Sequence, residues 1–151
     1  MPNFSHETVL SAPIDQVFDF LVQPENLSRI SPPEAGLRFL DAPDRFSAGV
    51  EFQFAVQTFG MVQKITHRIT EFASPLQFIE ELVKGPLPKW IHTHDFVSVS
   101  ENETRIIDHI EFEPPGGIVG IMLTENRIIE HMEDGLFYRH QQLEKFLVKA
   151  G

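Results

Sequence analysis

No cysteine occurs in this chain of 151 residues, which excludes disulfides, thiolate nucleophiles and thiolate metal sites. That leaves the compartment open, because a cysteine-free chain tolerates any redox state. Long apolar runs are also missing, and no stretch reaches the length of a membrane span. The start, MPNFSHETVL, has no basic segment followed by an apolar run. No signal peptide is expected, and the expected location is cytoplasmic. Basic charge is scarce: 12 Lys and Arg face 22 Asp and Glu, for a net charge of −10. Such a surface repels phosphate backbones and anionic bilayers, so neither nucleic acid nor membrane insertion is expected. Tyr and Trp occur once each against 14 Phe, so the aromatic set supplies area with few polar handles. Gly116-Gly117 lacks the Lys and the spacing of a phosphate loop, and no serine sits in a nucleophile elbow. Repeats, low-complexity tracts and linkers are absent, which predicts a single domain over 1–151.

The strongest positive signal is the stretch Thr124 to Lys149. Ile128, Ile129, Met132, Leu136, Leu143, Phe146 and Leu147 recur at the three-to-four spacing of one helical face. At 1.5 Å per residue the helix would be roughly 35 Å long. Glu125, Glu130, Glu133 and Asp134 fill its first half, and Arg139, His140, Lys145 and Lys149 its second, as the macrodipole favours. Between Leu136 and Leu143 the apolar stripe is interrupted by Arg139 or His140, which must find a partner or line something wet.

Upstream, Asn3 to Ser11 reads as a strand. Pro13 suits a first helical turn with Ser11 as cap, and Val17, Phe18, Phe20 and Leu21 give a short amphipathic helix. A second short helix starts at Pro24, runs through Leu27 and Ile30, and stops at Ser31-Pro32-Pro33. Six strand-like runs follow at antiparallel spacing: Leu37 to Leu40, Val50 to Thr58, Val62 to Phe72, Leu76 to Val83, Lys89 to Ser98 and Thr104 to Glu113. Turn signals separate them at Ala42-Pro43-Asp44, Phe59-Gly60, Ser74-Pro75, Lys84-Gly85-Pro86 and Glu101-Asn102-Glu103. Ile118 to Leu123 fits either a lid loop or an early helical turn. The expected fold is α+β, a curved antiparallel sheet of six to seven strands wrapped on one long C-terminal helix. A wide twisted sheet gripping one helix leaves space between them, the usual form of a small-molecule pocket.

This element order resembles the helix-grip fold of START domains, polyketide cyclases and the birch pollen allergen, the SRPBCC superfamily. Ser11-Ala12-Pro13-Ile14-Asp15-Gln16-Val17-Phe18 is similar to the family's opening, and Leu27-Ser28-Arg29-Ile30-Ser31-Pro32 to its second short helix. Trp90-Ile91-His92-Thr93-His94-Asp95-Phe96, followed by Thr104-Arg105-Ile106-Ile107-Asp108, resembles one bacterial branch, as does Phe137-Tyr138-Arg139. The resemblance spans essentially the whole chain. It implies a cavity for lipids, sterols, hormones, quinones or polyketides, and in some members cyclisation or dehydration.

Trp90, His92, His94 and Phe96 alternate and so share one strand face; Thr104, Ile106, Asp108, Ile110 and Phe112 share another. If both faces point inward, Asp108 needs a donor, and a histidine on the neighbouring strand would serve. A carboxylate that fixes an imidazole tautomer makes it a better base, so His92 or His94 with Asp108 would orient or deprotonate a ligand. The same residues also fit a solvent-facing polar row or a structural hydrogen-bond cluster. His-x-His with His67 or His109 also fits a metal, but the next Glu after His94 is Glu101, beyond a turn, and no metal or cofactor is expected. Arg139 would pair with Asp108 or a ligand carboxylate, or snorkel to solvent, and Tyr138 is the sole phenol. The candidate site is His94 and Asp108 as an acid–base pair, with Phe52, Phe54, Phe78, Trp90, His92, Phe96, Met132, Leu136 and Arg139 lining the cavity. The expected partner is an apolar or amphipathic small molecule, with the chain a monomer or homodimer. An enzyme of the cyclase or dehydratase kind and a protein-interaction domain with a filled pocket are the other readings.

Overall fold

The structure, a computed structural model, describes residues 1–58 and 60–148. Strand β1 (Asn3–Leu10) leads into helices α1 (Ile14–Leu21) and α2 (Pro24–Arg29), then a 3-10 turn at Pro33–Ala35. Six further strands follow: β2 (Arg38–Asp41), β3 (Glu51–Thr58), β4 (Met61–Ala73), β5 (Gln77–Lys84), β6 (Lys89–Ser100) and β7 (Glu103–Glu113). Helices α3 (Gly117–Met122) and α4 (Glu125–Leu147) complete the described chain. All strands join one antiparallel sheet in the order β1-β7-β6-β5-β4-β3-β2. This is the helix-grip arrangement, with the first strand closing the sheet beside the last. Bulges at Phe39/Asp41, Thr66/His67, Ile69/Glu71 and Ser98/Ser100 interrupt the ladders, and each bends its strand.

Strand edges differ from the sequence reading by one or two residues, as fraying ends do. One local expectation changes, and one left open is decided. Ser11 does not cap α1. Pro13 takes the cap position with an extended backbone, and its carbonyl accepts from the Gln16 and Val17 amides. Of the two readings of Ile118 to Leu123, the helical one holds: α3 covers most of it, buries none of its residues and leaves Ile118 and Ile121 exposed. Helix α4 ends at Leu147, with Lys149 outside the described residues, as is Phe59 of the expected Phe59-Gly60 turn. At the other end the Thr124 hydroxyl accepts from the Arg127 amide at 3.3 Å, satisfying one orphan donor of α4.

The core is divided. One apolar cluster gathers α1, the ends of the strands and Leu143 of α4, with Phe18 packed edge-on against Phe72, Phe78 and Phe96. A second cluster holds Ile110, Phe112 and Ile128, with Trp90 and Met132 against them. Between the clusters the inward-facing rows of β1, β6, β7 and α4 turn polar at the same level. On β7 the row reads Ile106, Asp108, Ile110; on β6, Phe96, His94, His92, Trp90; on β1, Leu10, Thr8, His6, Phe4. On α4, Arg139 separates Leu143 from Leu136. The interruption of the helical stripe and the carboxylate in the β7 row belong to one polar belt crossing the molecule.

Candidate functional site

The register decides what meets in this belt. His94 lies directly opposite Asp108 on β7 and opposite Phe78 on β5, and Glu80 lies opposite His92. Inward-facing side chains on neighbouring strands at such positions stand within reach of direct and diagonal partners. His92 Nε2 donates to Asp108 Oδ1 at 2.8 Å across the diagonal, and His94 Nε2 donates to Glu80 Oε1 at 2.9 Å. The remaining ring nitrogens approach the other carboxylate: His92 Nδ1 lies 3.3 Å from Glu80 Oε1, and His94 Nδ1 lies 3.3 Å from Asp108 Oδ1. His67 Nδ1 reaches the far oxygen of Glu80 at 3.2 Å. From α4, Arg139 clamps Asp108 with both terminal nitrogens, one at 3.0 Å from Oδ1 and the other on Oδ2. The two imidazoles stack with centroids 3.7 Å apart, and Phe78 stacks on His94 at 4.1 Å, so ring packing as well as hydrogen bonding fixes their planes.

The electrostatics follow from this geometry. Burial alone would raise both carboxyls. At Asp108 the Arg139 guanidinium and the bonds from His92 and His94 outweigh burial and hold it well below the usual carboxylate range. At Glu80 the bonds from His67, His92 and His94 do the same. Burial would lower His92, but Asp108 and Glu80 prevail and raise it. Two ionised carboxylates against one guanidinium leave an unbalanced negative charge, which is why the two carboxylates favour a proton on His92.

A cavity of about 360 Å³ adjoins this cluster. Phe52, Phe54, Trp90, Met132 and Leu136 line its apolar part, with Leu27 and Ile30 from the α2 end and Leu123 before α4. The buried His67, His92 and His94 and the half-buried Glu80 and Arg139 line it together as one hydrogen-bonded group. Of the residues expected to line a cavity, Phe78, Phe96 and Asp108 do not. Phe78 and Phe96 are enclosed by Phe18, and Asp108 is fully buried behind His92, His94 and Arg139. Their rows do point inward, but at those levels the space is already filled. Tyr138 does not line the cavity either.

Glu80 went unread in the sequence. The signal was there: Phe78, Glu80 and Leu82 alternate on one face, so a carboxylate sits in an apolar row as Asp108 does. His67, read only as a possible third metal ligand, belongs to the cluster; His109 lies on the other face of β7, where its Nδ1 meets the Ser5 hydroxyl at 2.7 Å.

A sequence profile of the family described as polyketide cyclase / dehydrase and lipid transport matches residues 10–140. The chain belongs to this family. Polyketide cyclase / dehydrase membership agrees with the helix-grip architecture and with placement in the SRPBCC superfamily. Solved structures with the same fold include a protein of Thermus thermophilus, at a TM-score of 0.76 and 17% identity, covering 95% of this chain and 98% of that one. The ginseng major latex-like protein 151 of Panax ginseng matches at a TM-score of 0.74 and 11% identity, with 98% of each chain covered. The ZhuI aromatase/cyclase of a Streptomyces species matches at 0.70 and 16% identity, covering 95% of this chain and 94% of that one. These TM-scores establish a shared fold. No curated protein sequence matches the chain. No helix among the described residues is long and apolar enough to cross a membrane.

Proposed function

We propose that this cyclase/dehydrase-family domain binds one apolar or amphipathic small molecule of lipid, quinone or aromatic polyketide type in the cavity between sheet and α4. One observation carries the reading: a largely apolar cavity is lined by one hydrogen-bonded cluster of ionisable groups. The apolar body of a ligand would lie against Phe52, Phe54 and Trp90, and an oxygen at its end would meet the His67, Glu80, His92, His94 and Arg139 wall. Trp90 is the sole tryptophan and lines the cavity, so it reports occupancy directly. Titration with naphthoquinones, fatty acids and aromatic polyketides should quench or shift its fluorescence saturably. Gly135→Phe, which adds a ring at a lining position with open space and leaves Trp90 the sole tryptophan, should abolish the response. No saturable change across that panel, with no small molecule retained in native mass spectrometry, would count against the cavity as a binding site.

A second reading is favoured by the two imidazole–carboxylate pairs, His92–Asp108 and His94–Glu80. Each carboxylate fixes a tautomer and supports a proton on its imidazole, the arrangement needed for general acid–base cyclisation or dehydration of a bound polyketide. In this reading His94 and His92 touch the ligand, and Asp108 acts through them. His94→Ala or Asp108→Asn should then abolish conversion while the Trp90 response to ligand persists. Unchanged turnover in both variants would leave binding alone.

A further inference from the structure

The polar wall offers more than hydrogen bonds. We propose that Glu80, His92 and His94 form a binding site for a first-row divalent transition cation of the zinc, cobalt or iron(II) kind, with its open position facing the cavity. The donor atoms are Glu80 Oε1, His92 Nδ1 and His94 Nε2; the cation displaces to solvent the protons that these two nitrogens direct at Glu80 in the metal-free chain, His94 keeping its remaining proton on Nδ1 beside Asp108. The three residues present ligand atoms within 4.8 Å of one another. His94 Nε2 lies 2.9 Å and His92 Nδ1 3.3 Å from the carboxylate oxygen. In a tetrahedral site with metal–ligand bonds of about 2.0–2.2 Å, neighbouring donors stand roughly 3.3 Å apart. Both nitrogen-to-carboxylate separations are therefore near those a small cation needs.

The surroundings fit as well. Asp108 accepts from His92 Nε2, which holds that proton on the far nitrogen and leaves Nδ1 to turn its lone pair toward Glu80. His67 binds the other oxygen of Glu80 and so orients the carboxylate. Arg139 pairs with Asp108, not Glu80, so the cation would take the place of the His92 proton in balancing the Glu80 carboxylate. Two imidazoles and one carboxylate are borderline ligands that suit zinc, cobalt and iron(II) better than calcium or magnesium. Capture requires the stacked imidazoles to swing apart from their 19° interplanar angle until both lone pairs converge, about the soft terminal torsion of histidine. Glu80, His92 and His94 all line the cavity, so the remaining position points at its contents. A carbonyl or enolate oxygen there would be polarised by the metal as a Lewis acid, a role that rests on the ligand reading above. Sequence spacing argued against a metal because no Glu follows His94 within its strand. The missing carboxylate comes from β5, one strand away.

The test uses chelator-treated protein without organic ligand, so it reads the metal site apart from the apolar cavity. Titration with Co²⁺ should give a visible d–d band that saturates at one equivalent, and Zn²⁺ should displace it. Glu80→Gln and His94→Gln should each weaken Co²⁺ at least tenfold with the far-ultraviolet spectrum retained. Asp108→Asn, which loosens the tautomer lock on His92, should weaken it by roughly 10–100-fold. His109→Gln, on the opposite sheet face, should leave it unchanged. Should either cluster variant fail to fold, the other decides. No saturable Co²⁺ spectrum overturns the proposal. So does uptake that survives loss of Glu80 or His94 but falls with His109→Gln, which would place the ion on surface histidines.

Discussion

The Asp108–Arg139 pair should be the most sensitive point of the fold. Asp108 is fully buried and Arg139 nearly so, with only 11% of its side chain exposed. Asp108→Asn keeps the volume and removes the charge, leaving a guanidinium facing a neutral amide in the core. Removing one partner of a buried pair costs about 3–5 kcal/mol. Asparagine still offers one acceptor to Arg139 or His92, so about 3 kcal/mol is expected. For a domain of this size that lowers the melting temperature by roughly 6–12 °C. Arg139→Met strands the carboxylate instead, but His92 still donates to it, so about 2 kcal/mol is expected. Because both substitutions remove the same bidentate contact, the double variant should cost at least about 1 kcal/mol less than the sum. Urea denaturation of the four proteins closes the cycle. Single-variant losses below about 1 kcal/mol, or additivity within about 0.5 kcal/mol, would show that the pair is solvated and that the belt does not organise the core.

Two further outcomes follow from the same structure. In chelator-treated protein, the depressed native carboxyls of Asp108 and Glu80 contribute stability that is present above their unfolded values of about 3.9 and 4.3. That contribution is lost as pH falls through the lower native values. His92 is raised, so its contribution is complete below about 6.5 and is lost as pH rises through its native value. The urea midpoint should therefore be highest between about pH 4.5 and 6.5, and a flat profile from there into the alkaline range would mean His92 carries no native proton. Leu143→Ala and Leu136→Ala should also differ in urea denaturation. Leu143 is fully enclosed and its loss should cost about 3–4 kcal/mol, whereas Leu136 borders existing space and should cost about 2–3 kcal/mol. Equal losses would mean that the cavity closes around Leu136 in solution.

What the sequence determined was the list of elements and the faces they present. Period-two alternation in β6 and β7 set Trp90, His92 and His94 on one face and Ile106, Asp108 and Ile110 on another. The helical period of α4 marked Arg139 as the break in its stripe. These are local properties, legible because side-chain direction follows from backbone repeat alone. The helix-grip order followed from the same local signals. Tertiary structure decided which polar side chains meet. Strand pairing set His92 beside Glu80 and His94 beside Asp108, and bulges in β4 shifted the register near His67. Helix α4 then had to lie at the height that brings Arg139 onto Asp108. Those positions depend on contacts distant in sequence, so Glu80 could not be singled out without them. The same contacts fill the space around Phe78 and Phe96, and they leave the cavity beside Phe52, Phe54 and Trp90. An alternating pattern says that a ring points inward; only the packing of the other elements says whether it meets a neighbour or a void.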